Sequence, residues 1–540
     1  MNHWICTLAV CIILISAVIP IRAEDCFKVF NDSSNWQAFD AGSTGGLETK
    51  GYFGAAFDGR YIYYAPCRTF DFHGTMLRCD TKKPFADLSA WDSYDAGRTG
   101  GLETVGYAGA VFDGKYVYFV PFACKTARHA RVLRYDPSQN FERSGSWKVF
   151  DAGRLMNGTN SGYCGAVFDG RFIYFAPFGY EPFAHARVLR FDTKADFENS
   201  SSWQLYNASR TGGLNTKGYY GAVFDGRFVY FVPFNDGSAF HGRVLRYDTK
   251  KGFSVNSSWS AYDAGQTGGL ETTGYKGAAF DGRYIYFVPF RAGAQVHCRV
   301  LRYDTKAEFA DKASWTAYDA GNTGGLDAKG YVGCEFDGRF LYFVPYSVDD
   351  NQFHSVFLCH DTKGGFTDPA AWTAKDMGNV DGLRTKGYKF SAFDGRNVYF
   401  VPYHNGRGFS GIALKLDTKP GEPATSVFQI QSNTRDTVVT PKIQETKVQG
   451  TTLPGMLETV FGKMQNVLRL SDEQSEKIRK LLSLRYDEMN LLRKNPGESS
   501  QEKMKLRGRM KSLMERYDQL ILEVLDSSQQ AVYRKIFSTK

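Results

Sequence analysis

Several features that mark common enzyme and membrane-protein classes are missing from this sequence. Beyond residue 21 no apolar run is long enough to span a membrane. There is no nucleophile elbow, no P-loop and no HExxH zinc motif. The formal net charge of +9 is small for 540 residues, and acidic and basic residues are interspersed. We therefore expect no nucleic-acid partner.

The N-terminus has the pattern of an export signal. Residues 5–21 are apolar and Arg22-Ala23 follows, which predicts a signal peptide over residues 1–23. No Lys or Arg precedes the apolar run, so an uncleaved anchor is the alternative. We expect a secreted or periplasmic protein with no membrane span after signal removal. Eight of the 10 cysteines lie beyond residue 23, and some of them could be oxidised there. They contain no CxxC pair and no regular spacing that would reveal the connectivity.

Internal repetition dominates the rest of the sequence. A segment similar to GYKGAAFDGRYIYFVPF returns every 55–57 residues, and a tryptophan keeps the same period. Each unit predicts four strands: two joined by the Asp-Gly dipeptide of a tight hairpin, a third such as RVLRYD, and a fourth that follows the tryptophan. Four-stranded units at this period describe the blades of a β-propeller. The segment begins at seven glycines: Gly51, Gly106, Gly162, Gly218, Gly274, Gly330 and Gly387.

The two ends of the repeat region are complementary. The mature chain starts just after a third strand, so its first strand, within SNWQAFDAG, is a fourth strand. The last unit ends near Asp417 with only three strands. The sequence therefore predicts an all-β, seven-bladed propeller of four-stranded blades over residues 25–419. The N-terminal strand closes the last blade and removes its open edge.

The hairpin, the strand that ends in Tyr-Asp-Thr and the tryptophan before the fourth strand resemble kelch-type propeller repeats. The unit cores are also similar to an uncharacterised group of bacterial repeats with FDGRYVYFVPY cores. These resemblances imply the propeller architecture and no catalytic residue, because propellers carry many unrelated functions.

One histidine recurs seven residues before the aspartate at the end of the third strand. A metal ring, a catalytic set and a structural role are all conceivable. At the radius of a third strand, neighbouring histidines would be roughly 15 Å apart, whereas zinc–nitrogen bonds are about 2 Å long. We therefore expect no metal or cofactor and predict blade-local hydrogen bonds, with a ligand-facing ring as the alternative. The six positions are His73, His129, His185, His241, His297 and His354.

The loops after the second strands differ in every unit, and two connections between units also depart from the repeat. All of these lie on one face of a propeller, and variable loops on a rigid scaffold are the usual location of recognition. We predict that this face binds a glycan or a protein. The alternative is that these loops carry neutral sequence variation because little constrains them. The candidate ligand-binding residues are Arg68, Lys125, Asn157, Tyr180, Asn235, Arg291, Asp349, Arg384 and Asn405.

A repeated loop position carries a carboxylate in four units, at Glu48, Glu103, Glu271 and Asp327. Glycoside cleavage needs two carboxylates on one bond. These four belong to different blades and contain no unique acid–base pair. We therefore assign no catalytic residue and favour binding over catalysis.

The pattern changes after the propeller. Residues 420–452 are rich in Thr, Ser, Gln and Pro and predict a linker. From 453 to 540 apolar residues recur at helical spacing, and Asn495-Pro496-Gly497 separates two long segments, which predicts an all-α helical hairpin domain. Two helices begin with a capping box, Ser471 with Gln474 and Asp526 with Gln529.

The capping boxes, in LSDEQ and LDSSQ, resemble the LTxxQ motifs of the Spy/CpxP family of helical periplasmic proteins. That resemblance implies a dimeric cradle for unfolded clients. Methionines would suit varied apolar partners, and filling the core of a helical bundle or dimer is the alternative.

The sequence thus predicts an exported, non-enzymatic binding protein whose propeller recognises a glycan or protein. Its helical tail would act on unfolded clients or self-associate. A carbohydrate-active lyase or hydrolase with its site at the channel mouth, and a structural envelope protein, are the alternatives.

Overall fold

A computed structural model describes residues 27–156, 162–178, 184–349 and 352–420. In the C-terminal part it describes 461–462, 464–465, 467–493, 510, 513–514, 517–518, 521–522 and 524–536. The chain divides into two compact units, Met1–Val438 and Val439–Lys540. The predicted signal peptide and all of the predicted linker except Pro420 lie outside the described residues. In the part of the chain that is described, no helix is long and apolar enough to cross a membrane.

The first unit is a β-propeller of seven four-stranded antiparallel sheets, as the repeats predicted. The first strands are Tyr52–Phe57, Tyr107–Phe112, Tyr163–Phe168, Tyr219–Phe224, Tyr275–Phe280, Tyr331–Phe336 and Tyr388–Phe393. The second strands are Tyr61–Pro66, Val117–Pro121, Phe172–Pro177, Phe228–Pro233, Tyr284–Pro289, Phe340–Pro345 and Asn397–Pro402.

The outer half of each blade consists of a third and a fourth strand. The third strands are Thr75–Asp80, Arg131–Tyr135, Arg187–Asp192, Arg243–Asp248, Arg299–Asp304, Val356–Asp361 and Ile412–Asp417. The fourth strands of blades 1 to 6 are Trp91–Asp95, Trp147–Asp151, Trp203–Asn207, Trp259–Asp263, Trp315–Asp319 and Trp372–Asp376.

The N-terminal strand Trp36–Asp40 supplies the fourth strand of blade 7. It pairs antiparallel with the third strand of that blade, so that Trp36 is opposite Leu416 and Asp40 is opposite Ile412. The predicted closure is therefore confirmed. A short helix, α1 (Lys28–Asn31), precedes this strand.

The recurrent motif residues hold each blade together, as blade 1 illustrates. Asp58 accepts hydrogen bonds from the backbone N–H groups of Arg60 and Tyr61 and from the hydroxyl of Tyr63. Arg60 forms an ion pair with Asp80 at the end of the third strand, with 2.8 Å between nitrogen and oxygen. The Trp91 indole N–H donates to the carbonyl of Phe85. The DGR…YD…W pattern is thus a set of local contacts that defines the hairpin and joins it to the third strand.

The variable face also carries four two-stranded hairpins. Two of them connect a fourth strand to the next blade: Gln266–Thr267 with Leu270–Glu271, and Asn379–Val380 with Leu383–Arg384. The other two follow second strands: Arg291–Ala292 with Gln295–Val296, and Ser347–Asp349 with Gln352–Phe353.

In the second unit, helices α2 (Asp472–Arg493) and α3 (Ser527–Ile536) are described. Their apolar residues form one buried cluster, which includes Met464, Ile478, Leu482, Ile521 and Tyr533. Four of these positions belong to the apolar faces that the sequence indicated, and their burial together explains the helical spacing.

Candidate ligand site at the channel mouth

The start of each first strand and the end of each second strand meet at the face that carries the variable loops. A β-bulge near the start of the first strand takes its second residue out of the pairing with the second strand. Bulges redirect side chains in this way. The residues at this position are Phe53, Ala108, Cys164, Tyr220, Lys276, Val332 and Lys389.

Large aromatic rings fill the centre at this level. Phe53 of blade 1 has its ring centre 6.0 Å from that of Tyr220 in blade 4 and 6.0 Å from that of Phe390 in blade 7. Tyr220 and Phe390 are stacked with 6.4 Å between centres. Blade 4 is therefore in contact across the channel with the neighbouring blades 7 and 1, and the channel has an aromatic floor at its mouth.

The residue after each second-strand proline forms the wall around this floor. Most are aromatic, and those of blades 2, 6 and 7 are only half-buried, which leaves part of each ring exposed at the mouth. The seven wall residues are Cys67, Phe122, Phe178, Phe234, Phe290, Tyr346 and Tyr403.

Two lysine side chains lie among these rings. Lys276 is 7% exposed, and its Nζ lies 3.5 Å from the centre of the Phe290 ring, 5.0 Å from that of Tyr220 and 5.4 Å from that of Tyr346. Cation–π contacts of this kind stabilise an ammonium group that has lost part of its hydration.

Lys389 is more deeply placed. It is 4% exposed, with Nζ 3.6 Å from the Tyr346 ring centre, 4.5 Å from Phe53 and 4.8 Å from Tyr403. Burial lowers the pKa of Lys389 to about 7, and the nearby thiols of Cys67 and Cys164 oppose that shift.

Arg128 is a third cation among the described rings of the mouth. The Arg128 guanidinium lies 4.0 Å from the Phe122 ring centre and 5.0 Å from that of Phe178, and burial lowers its pKa. Among the described residues no Asp or Glu forms an ion pair with Lys389. The arrangement can therefore accept an anionic group against a wall of aromatic rings.

The predicted ligand-binding residues lie further out, on the loops. Arg68 is exposed, with its guanidinium 5.5 Å from the Phe72 ring centre, and Lys125 forms an ion pair with Asp71 of the neighbouring loop at 3.4 Å. Arg291 is half-buried beside Phe290, at 5.9 Å, and Asp349 is exposed.

The amide residues of these loops support their own turns. Asn235 is buried, and its side-chain oxygen accepts the backbone N–H of Gly237. The side-chain oxygen of Asn405 accepts the N–H of Arg407, while its carbonyl accepts a hydrogen bond from Arg384 at 2.7 Å. Asn157 and Tyr180 lie outside the described residues.

The predicted loop residues that the structure describes do not converge on one point. The residues that do converge are Lys276, Lys389 and Arg128, which sequence reasoning did not select. One signal was present. The second residue of the first strand varies from lysine to phenylalanine to alanine, between a tyrosine that never changes and a glycine that changes only in the last unit. This is the most variable position of an otherwise similar strand, which indicates a place where the blades differ in function rather than in architecture.

In five of the six recurrent histidines both ring nitrogens bond to nearby backbone groups. In His73 only Nδ1 does so among the described residues, accepting the N–H of Thr75. In His241, Nδ1 accepts the N–H of Arg243 at 3.2 Å and Nε2 lies 2.9 Å from the carbonyl oxygen of Lys217. Because a carbonyl only accepts, Nε2 carries the proton of a neutral imidazole. Burial lowers the pKa to about 4 in five of the six, namely His129, His185, His241, His297 and His354, and in the same direction in His73.

The four loop carboxylates each have a cation of their own. Glu103 lies 3.6 Å from Arg131, and Glu271 lies 3.6 Å from Arg299. Lysines two residues further along the chain pair with the other two, Lys50 with Glu48 and Lys329 with Asp327. Each pair lies within one repeat unit.

The four predicted helix-cap residues of the second unit form two capping boxes that face each other. The side-chain oxygen of Gln474 accepts the N–H of Ser471, whose hydroxyl accepts the N–H of Gln474. Asp526 and Gln529 exchange the equivalent pair. The amide nitrogen of Gln474 also donates to Gln529 at 2.9 Å, so the two helix starts are linked directly.

Comparison with known proteins identifies no family for this chain. No protein family matches the chain, and no curated protein matches it. Among the solved structures, one described as YCF48 bound to D1 peptide is 12% identical, with a TM-score of 0.43. The match covers 71% of this chain and 96% of that one. The propeller assignment here rests on the strand order.

Proposed function

We propose that this protein is a non-enzymatic binding protein whose propeller recognises its ligand at the channel mouth on the variable-loop face. The observation that carries this proposal is the aromatic mouth with its buried lysines, on a ring whose blades are otherwise nearly identical. Repeated features build the blades, whereas Lys276 and Lys389 occur in only two of seven. The ligand is a glycan or a protein segment.

Binding is favoured over carbohydrate cleavage by the charges at the site. Cleavage by the usual route needs two carboxylates about 5–10 Å apart across the scissile bond. The rings of the described mouth are in contact with the cations Lys276, Lys389 and Arg128. The loop carboxylates have cationic partners in their own units.

The test uses the full chain against a panel of oligosaccharides and peptides, with binding and product release measured in parallel. We expect binding without product. Tyr346→Ala, which removes a half-buried ring of the wall, should weaken it. Tyr206→Ala is the matched control, a half-buried tyrosine stacked on Trp259 in an outer strand. Released product would make the protein an enzyme, and equal effects of the two variants would place the ligand elsewhere.

We further propose that the protein is exported and that its helical unit holds unfolded clients or self-associates. Val467 and Val532 are apolar residues of this unit that remain exposed. In a client-aggregation assay of the full chain, Val467→Ser with Val532→Ser should reduce protection, while Leu88→Ser on the propeller should not. Light-scattering mass of the same variants separates self-association from client binding.

A further inference from the structure

We infer that the channel mouth is a binding site for an acidic saccharide, with the carboxylate of a uronic acid residue held by Lys389 and Lys276 and the sugar ring placed against the aromatic wall. This inference deepens the proposed function and rests on it.

The charge at the site calls for an anion. Lys389 is 4% exposed, and among the described residues its ammonium has no hydrogen bond and no ion pair. Its neighbours are three aromatic rings and the thiols of Cys67 and Cys164, which burial keeps protonated by raising the pKa of each to about 12. Ring faces only partly replace the lost hydration of a cation, so a bound anion gains more here than at the surface.

The two lysines are placed to act on one group. The Tyr346 ring is shared by both, with its centre 3.6 Å from Lys389 Nζ and 5.4 Å from Lys276 Nζ. They come from blades 5 and 7, and Tyr346 from blade 6 between them, so three consecutive blades build one side of the mouth.

The aromatic surface favours a saccharide over a peptide. Tyr346, Tyr403 and Phe390 are half-buried, so each offers part of a ring on which the C–H face of a pyranose can pack. A peptide that bound by adding a strand would need a free inner strand edge. That edge is blocked, because a Cβ on Gly54 would meet the backbone of Gly109 at 2.6 Å, so neighbouring first strands are already in contact.

The same geometry couples binding to protonation. Cys67, Cys164 and the rings of Phe53, Tyr346 and Tyr403 surround Lys389, and Lys276 shares the Tyr346 ring. Arg128 lies near both thiols, and Glu335 of the neighbouring first strand accepts a hydrogen bond from Ser391, two residues from Lys389. Lys389 has a pKa of about 7, so its charge changes near neutral pH. A carboxylate stabilises the ammonium form, so binding takes up a proton when the pH exceeds the free-state pKa of about 7.

The test is titration calorimetry of the full chain with uronic acid trimers (galacturonate, mannuronate and glucuronate), and with the same trimers after reduction of the carboxylates to hydroxymethyl groups. An acidic peptide forms the third arm. We expect an acidic trimer to bind, its reduced form to bind about tenfold more weakly or worse, and affinity to fall above pH 7 with proton uptake.

Variants assign the effect to the two lysines. Lys389→Met and Lys276→Met should each weaken binding by about tenfold to a hundredfold, and Lys389→Arg should restore part of it. Lys415→Met is the matched control, because Lys415 is a partly buried lysine near the Phe85 ring on an outer strand. Circular dichroism verifies that each variant is folded.

The outcomes separate this inference from the proposed function. Equal binding of acidic and reduced trimers, or unchanged binding in both lysine variants, overturns the carboxylate site and leaves binding at the mouth intact if Tyr346→Ala still weakens it. Preference for the acidic peptide overturns the saccharide. If no saccharide or peptide binds, both proposals fail.

Discussion

At the scale of single residues, Lys389 sits where the fold itself would prefer an apolar side chain. Other blades place Ala108 or Val332 at the same position, where both are buried. An ammonium group buried without a counter-charge costs free energy that a hydrocarbon does not. The presence of lysine at this position is therefore an argument for binding, because it does not stabilise the blade.

Replacing this lysine should stabilise the free protein. The pKa of Lys389 is lowered from 10.5 to about 7, so the folded state binds fewer protons than the unfolded state between these values. Stability should therefore rise with pH from about 7 to 10.5. Lys389→Met should remove that slope and raise the free energy of unfolding near pH 7 by about 1–4 kcal/mol.

Urea unfolding at several pH values measures this effect. Lys415→Met, on an outer strand, should give no comparable gain. A Lys389→Met protein that is less stable than the parent would mean that the ammonium has a stabilising role in the blade.

The buried histidines predict a second pH dependence, at acid pH. Five of them keep a folded-state pKa of about 4 against an ordinary value of 6.5, because burial disfavours the imidazolium. The unfolded state therefore takes up protons first as pH falls from 6.5 to 4. The propeller should lose on the order of 1–3 kcal/mol per histidine across that window.

The seventh unit suggests the control for this prediction. There Ser410 replaces the histidine, and its hydroxyl accepts the N–H of Ile412 as the imidazoles accept theirs. A His241→Ser, His297→Ser variant should be less stable at pH 7.5 but show a shallower loss between pH 6.5 and 4 in denaturant unfolding. An unchanged slope would show that other groups govern acid unfolding.

At the scale of elements, the repeat could be predicted well because its signals are local. The Asp-Gly dipeptide determines the first hairpin, and the tryptophan that begins each fourth strand donates to a carbonyl six residues earlier. Both kinds of contact can be inferred from residues close together in sequence. The closing strand was predictable for the same reason, because it carries the fourth-strand pattern.

The site could not be predicted in the same way. Successive side chains of a regular strand point to opposite faces of the sheet. This alternation would place the second residue of the first strand at an interface between blades. The bulge redirects that residue to the mouth instead, where Phe53 and Tyr220 meet each other. Phe390, the third residue of its own first strand, joins them from a blade far away in sequence. Loop composition favoured Asn235 and Asn405 as ligand contacts. Their side-chain oxygens instead accept backbone N–H groups of their own loops.

Hydrogen bonds between the two helix starts add to the apolar core of the second unit. Gln474 accepts a hydrogen bond from Ser471 and donates to Gln529 and to the Val524 carbonyl, each at 2.9 Å. Gln474→Glu keeps the acceptor and loses both donations. We expect a loss of about 1–3 kcal/mol in the stability of this unit.

Helical circular dichroism during denaturation measures that loss. Gln465→Glu is the control, because the Gln465 amide donates to Ser475 at the exposed surface. Equal effects of the two variants would mean that the contact between the capping boxes does not stabilise the unit.

At the scale of the whole molecule, the ring is closed by non-covalent contacts at a single place. At each of the other blade interfaces, an aromatic residue of one fourth strand packs against the tryptophan of the next fourth strand. Tyr94 and Trp147, for example, are stacked with 5.5 Å between ring centres. At the closing interface Lys375 takes that position, and its Nζ donates to the carbonyl of Asn31 and to the Ser33 hydroxyl. The lysine thus ties the N-terminal segment to blade 6 by hydrogen bonds.

Because the closing strand is the chain's own N-terminal segment, a cross-link there should stabilise more than the same cross-link elsewhere. Gln37 is opposite Lys415 in the closing pair, and Gln204 is opposite Arg190 in blade 3. A disulfide at the first pair encloses nearly the whole propeller, whereas one at the second encloses a short hairpin. Loop-closure entropy then predicts about 3 kcal/mol more stabilisation from Gln37→Cys with Lys415→Cys. Urea unfolding of both variants, each oxidised and reduced, measures the difference. The described native cysteines form no disulfide and are buried or half-buried, so they are poorly placed to exchange with either engineered bridge. Equal gains in the free energy of unfolding would mean that the N-terminal strand stays paired with blade 7 in the unfolded state, so that the ring does not open at this strand.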